Sequence, residues 1–202
     1  MSAEDYTWFR DTPFIYGYCL TLVQGIDPGE ALRRLDAEPS ERATGSRDFT
    51  RFAERSHPWA AHRNDGRFGI GAVQLEGWTL LLEWNGFLGV TPEVIRPLSA
   101  GTRVVSHHRN VDAEDRFCWM EDGDLRLKFE PLFPFHRSGS DPDGLLDVME
   151  RIGFDLRDIE DRDFELNTEA AFALAEHLTG VRVTQELLDT AEYLCGRAPL
   201  KR

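Results

Sequence analysis

The adjacent pair His107-His108 is the first place in this chain where residue type suggests chemistry, as metal ligands or as a general base. Successive residues of a strand point to opposite faces, so the two imidazoles cannot meet one ion without a bulge. His57 and His62 flank a proline, and His136 and His177 stand alone. With no paired cysteines and no HExxH spacing, the sequence predicts neither a metal site nor a cofactor. Among the acids, Glu83 is distinguished by its neighbours Leu82 and Trp84. Alternation puts it on the face away from the tryptophans, where it is expected to meet solvent. Asp112, Glu114 and Asp115 read as a wet loop, and Glu121, Asp122 and Asp124 as the tip of a hairpin. Ser106 sits beside His107, but neighbours on one strand point apart and cannot form a nucleophile–base pair. Cys118 lies between Phe117 and Trp119 with nothing to lower its pKa, and is expected to pack inertly. No catalytic residue is assigned.

Aromatic side chains are the other signal. Trp78, Trp84 and Trp119, together with His107 and His108, form the candidate surface for a ligand or partner, provided the rings reach the outside. Glycine-rich phosphate loops are missing: Gly69-Ile70-Gly71 runs on into more strand rather than into a helix.

The elements that must hold these residues centre on 68–130. In Trp78 to Trp84, alternate residues Trp78, Leu80, Leu82 and Trp84 share one face; Leu125, Leu127 and Phe129 do the same opposite charged neighbours. Glu76-Gly77, Asn85-Gly86 and Asp122-Gly123 supply the turns, the last suited to a two-residue hairpin. Arg103 to Arg109 is a further strand, and Tyr18 to Val23 another, stopped by Gly25. Asp27-Pro28-Gly29-Glu30 has the capping side chain, first-turn proline and following glutamate of a helix start. Glu38 to Gly45 is polar and loop-like, and Phe49, Phe52 and Ala53 are spaced for a helix ending near His57-Pro58. After Pro131 and Pro134 the pattern turns helical: Asp141 through Ile152, a helix from Asn167 or Thr168 to Gly180, and one from Thr184 to Gly196. The resulting expectation is one α+β domain over residues 1–202, with a single, mainly antiparallel sheet of five to six strands. N-terminal and C-terminal helices cover it on one face, and 141–202 could form a helical lobe.

Composition narrows the class of function. A chain of 202 residues, 41% hydrophobic, can bury a substantial core. Its formal charge of -13 disfavours nucleic acid and anionic membranes as partners. Residues 170–196 have the outline of a helix-turn-helix, yet the second helix would carry Glu186, Asp189 and Glu192 towards the phosphates. Cys19, Cys118 and Cys195 are widely separated, the N-terminus is acidic, and no apolar run approaches membrane-spanning length, so a cytoplasmic setting with reduced thiols is expected.

Two stretches resemble an uncharacterised domain family common in actinobacteria. One is Tyr18-Cys19-Leu20-Thr21-Leu22-Val23-Gln24-Gly25 leading through Asp27-Pro28-Gly29-Glu30 to Ala31-Leu32-Arg33-Arg34-Leu35; the other is Leu178-Thr179-Gly180-Val181-Arg182-Val183-Thr184-Gln185-Glu186-Leu187-Leu188. The resemblance implies a self-contained bacterial cytosolic domain and transfers no catalytic residue. The reading that follows is a non-catalytic binding or regulatory protein, immunity-like in its concrete form, engaging a protein or small ligand through an acidic, aromatic-bearing surface. The alternatives are a small hydrolase-type enzyme using Glu83, His107 and His108, and a DNA-binding regulator acting through 170–196.

Overall fold

The computed structural model describes residues 1–57, 66–112 and 114–199; His62 lies outside them. Its frame is an antiparallel sheet built from β1 (Tyr18–Gln24), β2 (Glu38–Thr44), β3 (Arg67–Leu75), β4 (Trp78–Trp84), β5 (Arg103–Arg109), β6 (Asp115–Glu121), β7 (Asp124–Phe129), β8 (Arg137–Ser138) and β9 (Glu192–Pro199). The order is β2-β9-β3-β4-β1-β5-β6-β7-β8, so among the described residues the expected five to six strands become nine and β1 takes the middle place. The turns are those the sequence suggested: Asp122 and Gly123 both adopt positive φ (46° and 79°) between β6 and β7.

Both faces of the sheet are roofed, which corrects the expectation of a single covered face. Leu20, Leu22, Trp78, Leu80, Leu82, Val105, Phe117 and Trp119 form one face. Over it lie a 3₁₀ helix (Ala3–Asp11), α2 (Gly45–Ser56), α4 (Leu146–Ile152) and α5 (Asn167–Thr179), through side chains such as Tyr6, Phe9, Phe49, Met149 and Phe172. On the other face, Val23, Phe68, Ile70, Ala72, Leu81 and Val104 pack beneath α1 (Pro28–Arg34) and α3 (Pro92–Leu98), with a 3₁₀ turn (Leu88–Val90) beside them. Asp27 caps α1 as expected, accepting from the Glu30 amide at 2.9 Å.

Three segments depart from the sequence reading. Glu38–Thr44 is an edge strand rather than a loop, its proline and charges suited to an edge that should not recruit another chain. The helix expected from Asp141 is folded only over Leu146–Ile152. The last helix, α6 (Gln185–Thr190), has six residues; the chain then extends into β9, inserted between β2 and β3. Leu187, Leu188, Ala191 and Leu194 mimic a helical stripe, but Tyr193 and Cys195 alternate with more open neighbours and bury as strand residues do. The second helix of the helix-turn-helix outline therefore ends after less than two turns, and the 141–199 part of the expected helical lobe includes the strand β9. Among the described residues no helix is long and apolar enough to cross a membrane.

Gly69 and Gly71 explain how α2 reaches the sheet. A Cβ at Gly71 would sit 2.7 Å from the Phe49 ring and 2.7 Å from Tyr193, and one at Gly69 would sit 3.0 Å from the Ala53 Cα. The motif is a packing surface rather than a phosphate loop. Gly71→Ala should lower unfolding free energy by about 1–3 kcal/mol through overpacking; urea denaturation at unchanged m-value measures this, and a variant as stable as the parent would refute the close-approach role.

Candidate functional site

At one end of the sheet, where β4 and β5 finish and β1 and β6 begin, polar residues collect on both faces. In register, Tyr18 lies between Trp84 and Arg109, and Arg109 opposite Asp115; one rung on, Cys19 lies between Glu83 and His108, and His108 opposite Arg116. Alternation then deals these residues to opposite faces, as expected for His107 and His108.

Under α5 the hydroxyl of Tyr18 is 2.8 Å from His107 Nδ1, and His107 Nε2 is 2.7 Å from Asp115 Oδ1. The Arg109 guanidinium lies 3.6 Å from Asp115 Oδ2 and donates to Thr168 Oγ1 at 2.7 Å. A carboxylate can only accept, so Nε2 carries the proton given to Asp115, and the Tyr18 hydroxyl, able to donate or accept, completes the contact at Nδ1. Burial, with the Asp115 charge adding to it, pushes the Tyr18 pKa far up and keeps it a phenol. Phe172 stacks on Tyr18 at 5.6 Å and meets His107 edge-on at 5.4 Å, while Phe9 closes from the side at 4.7 Å. His107 is 1% exposed and both of its nitrogens are engaged, so this chain of groups locks the roof to the sheet. Asp115 is thus a buried partner at the start of β6, which corrects its reading as part of a wet loop.

Glu83 is also corrected: it is on the predicted face but only 3% exposed. Its Oε2 accepts from the Leu88 amide and its Oε1 from the Gly89 amide, each at 3.1 Å. Burial raises its pKa to about 7 against the opposing pull of those amides. Two glycines let the covering segment lie this close: a Cβ on Gly86 would fall 2.2 Å from Glu83 Oε2, and one on Gly89 would fall 2.0 Å from Thr21 Oγ1. Ser106 shares a hydrogen bond of 2.6 Å with Thr21 on this face, away from His107. Cys19, Cys118 and Cys195 are all buried thiols, Cys118 with its pKa pushed up to about 12 by burial.

His108 is the nominated residue that lines a cleft. It is 8% exposed, and its Nδ1 lies 2.8 Å from the Gly86 carbonyl and 3.1 Å from that of Tyr18. Facing carbonyls, Nδ1 must be the protonated nitrogen. Burial lowers the ring's pKa and favours the neutral form, leaving Nε2 a lone-pair acceptor with no protein partner among the described residues. The cleft it lines, of about 330 Å³, includes Phe68, Asn85, Phe87, Asn110, Glu114 and Arg116. Phe87 is 38% exposed and meets Phe68 edge-to-face at 5.4 Å.

The tryptophans do not make the exposed surface the sequence suggested. Trp78 and Trp119 are buried, Trp84 is partly buried against the same core, and Trp78 stands at the far end of β4. Trp119 rests between the Arg103 and Arg126 guanidiniums, 6.0 and 5.6 Å from its ring centroid. Sequence reasoning missed Tyr18, Asp115, Phe68 and Phe87; pairing the strand that ends at Arg109 with the one that begins at Asp115 is the signal that would have brought Asp115 to His107. Among the described residues no group of three or more His, Cys, Asp or Glu side chains is placed to hold a metal ion.

A family model for DUF6461, described as a family of unknown function, matches residues 1–202. The chain belongs to that family. This bears out the likeness to an uncharacterised domain family. No curated protein and no solved structure matches it.

The raised Glu83 pKa makes a pH prediction. Folding favours the protonated acid, so its contribution is fully present below the unfolded value near 4.5 and is lost as pH rises through about 7. Between pH 4.5 and pH 8 the parent should lose on the order of 3 kcal/mol that Glu83→Gln, which cannot ionise, retains. Urea unfolding of both proteins across that range checks it, and parallel pH profiles would count against a buried, neutralised Glu83.

Proposed function

We propose that this is a non-catalytic binding protein whose ligand site is the cleft beside His108. The observation that carries the reading is the orientation of one neutral imidazole. Its Nδ1–H is committed to the Gly86 carbonyl, and Nε2 keeps its lone pair in a ring lining a cleft that also has two phenylalanine walls. Such a site suits a small planar molecule whose ring lies against the phenylalanines and whose O–H or N–H donor meets His108, with the polar side chains of Asn85, Asn110, Glu114 and Arg116 bordering it. The aromatic component of the originally expected surface is supplied here by Phe68 and Phe87. A regulatory role in the cytosol, with a small ligand or a protein segment presenting the same chemistry, is part of the same reading.

The hydrolase-type alternative finds less support. His107 and Glu83 are buried on opposite sheet faces, with His107's nitrogens and both Glu83 oxygens bonded to protein groups. That leaves His108 without a second catalytic partner of those named.

Phenol and anisole separate the donor requirement from simple ring burial. In ¹⁵N-resolved titrations phenol should move the His108 Nε2 resonance and the amides of 85–91, while anisole binds more weakly. His108→Phe keeps a ring but removes the acceptor and should weaken phenol roughly tenfold, about 1.4 kcal/mol. Shifts that bypass the cleft, or equal affinity of the variant, would remove the basis of this assignment.

A further inference from the structure

We infer that a second site, on the opposite face of the sheet end, takes a carboxylate carrying a hydrocarbon group. The site is a cleft of about 560 Å³ between the N-terminal 3₁₀ segments, the first turn of α5 and the chain around Leu132. It shares no lining residue with the His108 cleft, and nothing in its argument depends on that cleft.

Three observations point to an anionic acceptor there. Asn167, the first residue of the thirteen-residue α5, lines the cleft while only 8% exposed. Its Nδ2 is buried and bonded to no acceptor, so turning the amide towards an acceptor in the cleft breaks no existing hydrogen bond of that nitrogen and relieves its unmet state. Leu166, at the cap position, offers no capping side chain; the Asn167 amide is met by the Phe164 carbonyl at 3.3 Å, which leaves the Thr168 and Glu169 amides at the end of the helix where partial positive charge gathers. Arg109 adds a guanidinium that is 25% exposed in its side chain and held by Thr168 at 2.7 Å, with its contact to Asp115 loose at 3.6 Å.

Charges of the opposite sign face the same space and select among anions. Glu169 is ion-paired with Arg10, whose guanidinium also donates to the Glu165 backbone carbonyl at 2.8 Å. These two side chains offset one another. Glu165 itself is exposed and can turn to solvent. With Glu169 offset by Arg10, the positive charge left at the cleft is the single Arg109 guanidinium, which one carboxylate matches and a dianionic phosphate exceeds. The remaining wall is apolar: Ile15, Leu132 and Phe164, the last 54% exposed. An exposed phenylalanine beside a buried unmet donor gives the ligand its second half, a hydrocarbon group lying on the ring.

The test uses the full chain and benzoate as probe, with benzamide as its uncharged isostere, each titrated while ¹H–¹⁵N resonances are followed. Benzoate should shift the Asn167 side-chain amide and the Thr168 and Glu169 backbone amides, and benzamide should bind at least roughly tenfold more weakly. Asn167→Asp puts a negative charge where the donor stood and should weaken benzoate by roughly tenfold or more. Phe164→Ala alters an exposed residue, keeps the fold independent of the Asn167 result, and should weaken benzoate about fivefold through lost ring contact. Equal binding of benzoate and benzamide, shifts confined to other parts of the chain, no binding at millimolar benzoate, or a Phe164→Ala variant with unaltered affinity would each overturn the assignment.

Discussion

A central strand with no wet side imposes the main constraint on this fold. β1 has four neighbours on either side of it in the sheet order, and six of its seven residues are buried. Its polar residues and those of the strands beside it therefore cannot rely on water, and each must find a partner inside. The Tyr18, His107 and Asp115 chain is the solution on one face, with Asp115 Oδ2 left facing the Arg109 charge at 3.6 Å without a hydrogen bond. The Thr21–Ser106 bond and the Glu83 side-chain oxygens accepting from two amides are the solutions on the other.

These internal bonds also decide which groups remain available for ligands. His107 has the geometry of a relay but spends both nitrogens on structure, while its neighbour His108 spends one. A one-residue step along a strand separates a sealed imidazole from one at a cleft wall. The same division appears at the ends of the arginines. Arg10 is consumed by Glu169 and a carbonyl, whereas Arg109 keeps a loose contact with Asp115 and reaches the cleft at α5. Ligand chemistry at this sheet end is thus what is left after the core has satisfied its own polar groups.

Glycine placement lets the roofs descend far enough for those bonds to form. Gly69 and Gly71 admit α2 on one face; Gly86 and Gly89 admit the 86–91 segment on the other, within reach of Glu83. A segment held a few ångströms higher would leave the carboxylate unpaired and the Gly86 carbonyl out of range of His108. The fold and the candidate site are therefore coupled through backbone approach rather than through any single catalytic motif.

From its own order of residues the chain determined the alternation that put His107 and His108 on opposite faces, the Asp122-Gly123 hairpin, the Asp27 cap and the stop of α5 at Gly180. Those features rest on interactions a few residues long, which local spacing specifies. Only the tertiary structure decided that Glu192–Pro199 becomes a strand, that both faces are covered, that Asp115 lies beside His107 and that Glu83 is buried. The strand and the second roof depend on contacts between segments far apart in sequence, whereas Asp115 reaches His107, and Leu88 and Gly89 reach Glu83, because the chain folds back over a short span whose path the tertiary packing sets. β9 gains its hydrogen bonds from β2 and β3, and Glu83 loses its water because a later segment lies over it. Alternation along one strand carries no information about which surface, near or distant in sequence, will lie over it, and burial is a property of that covering.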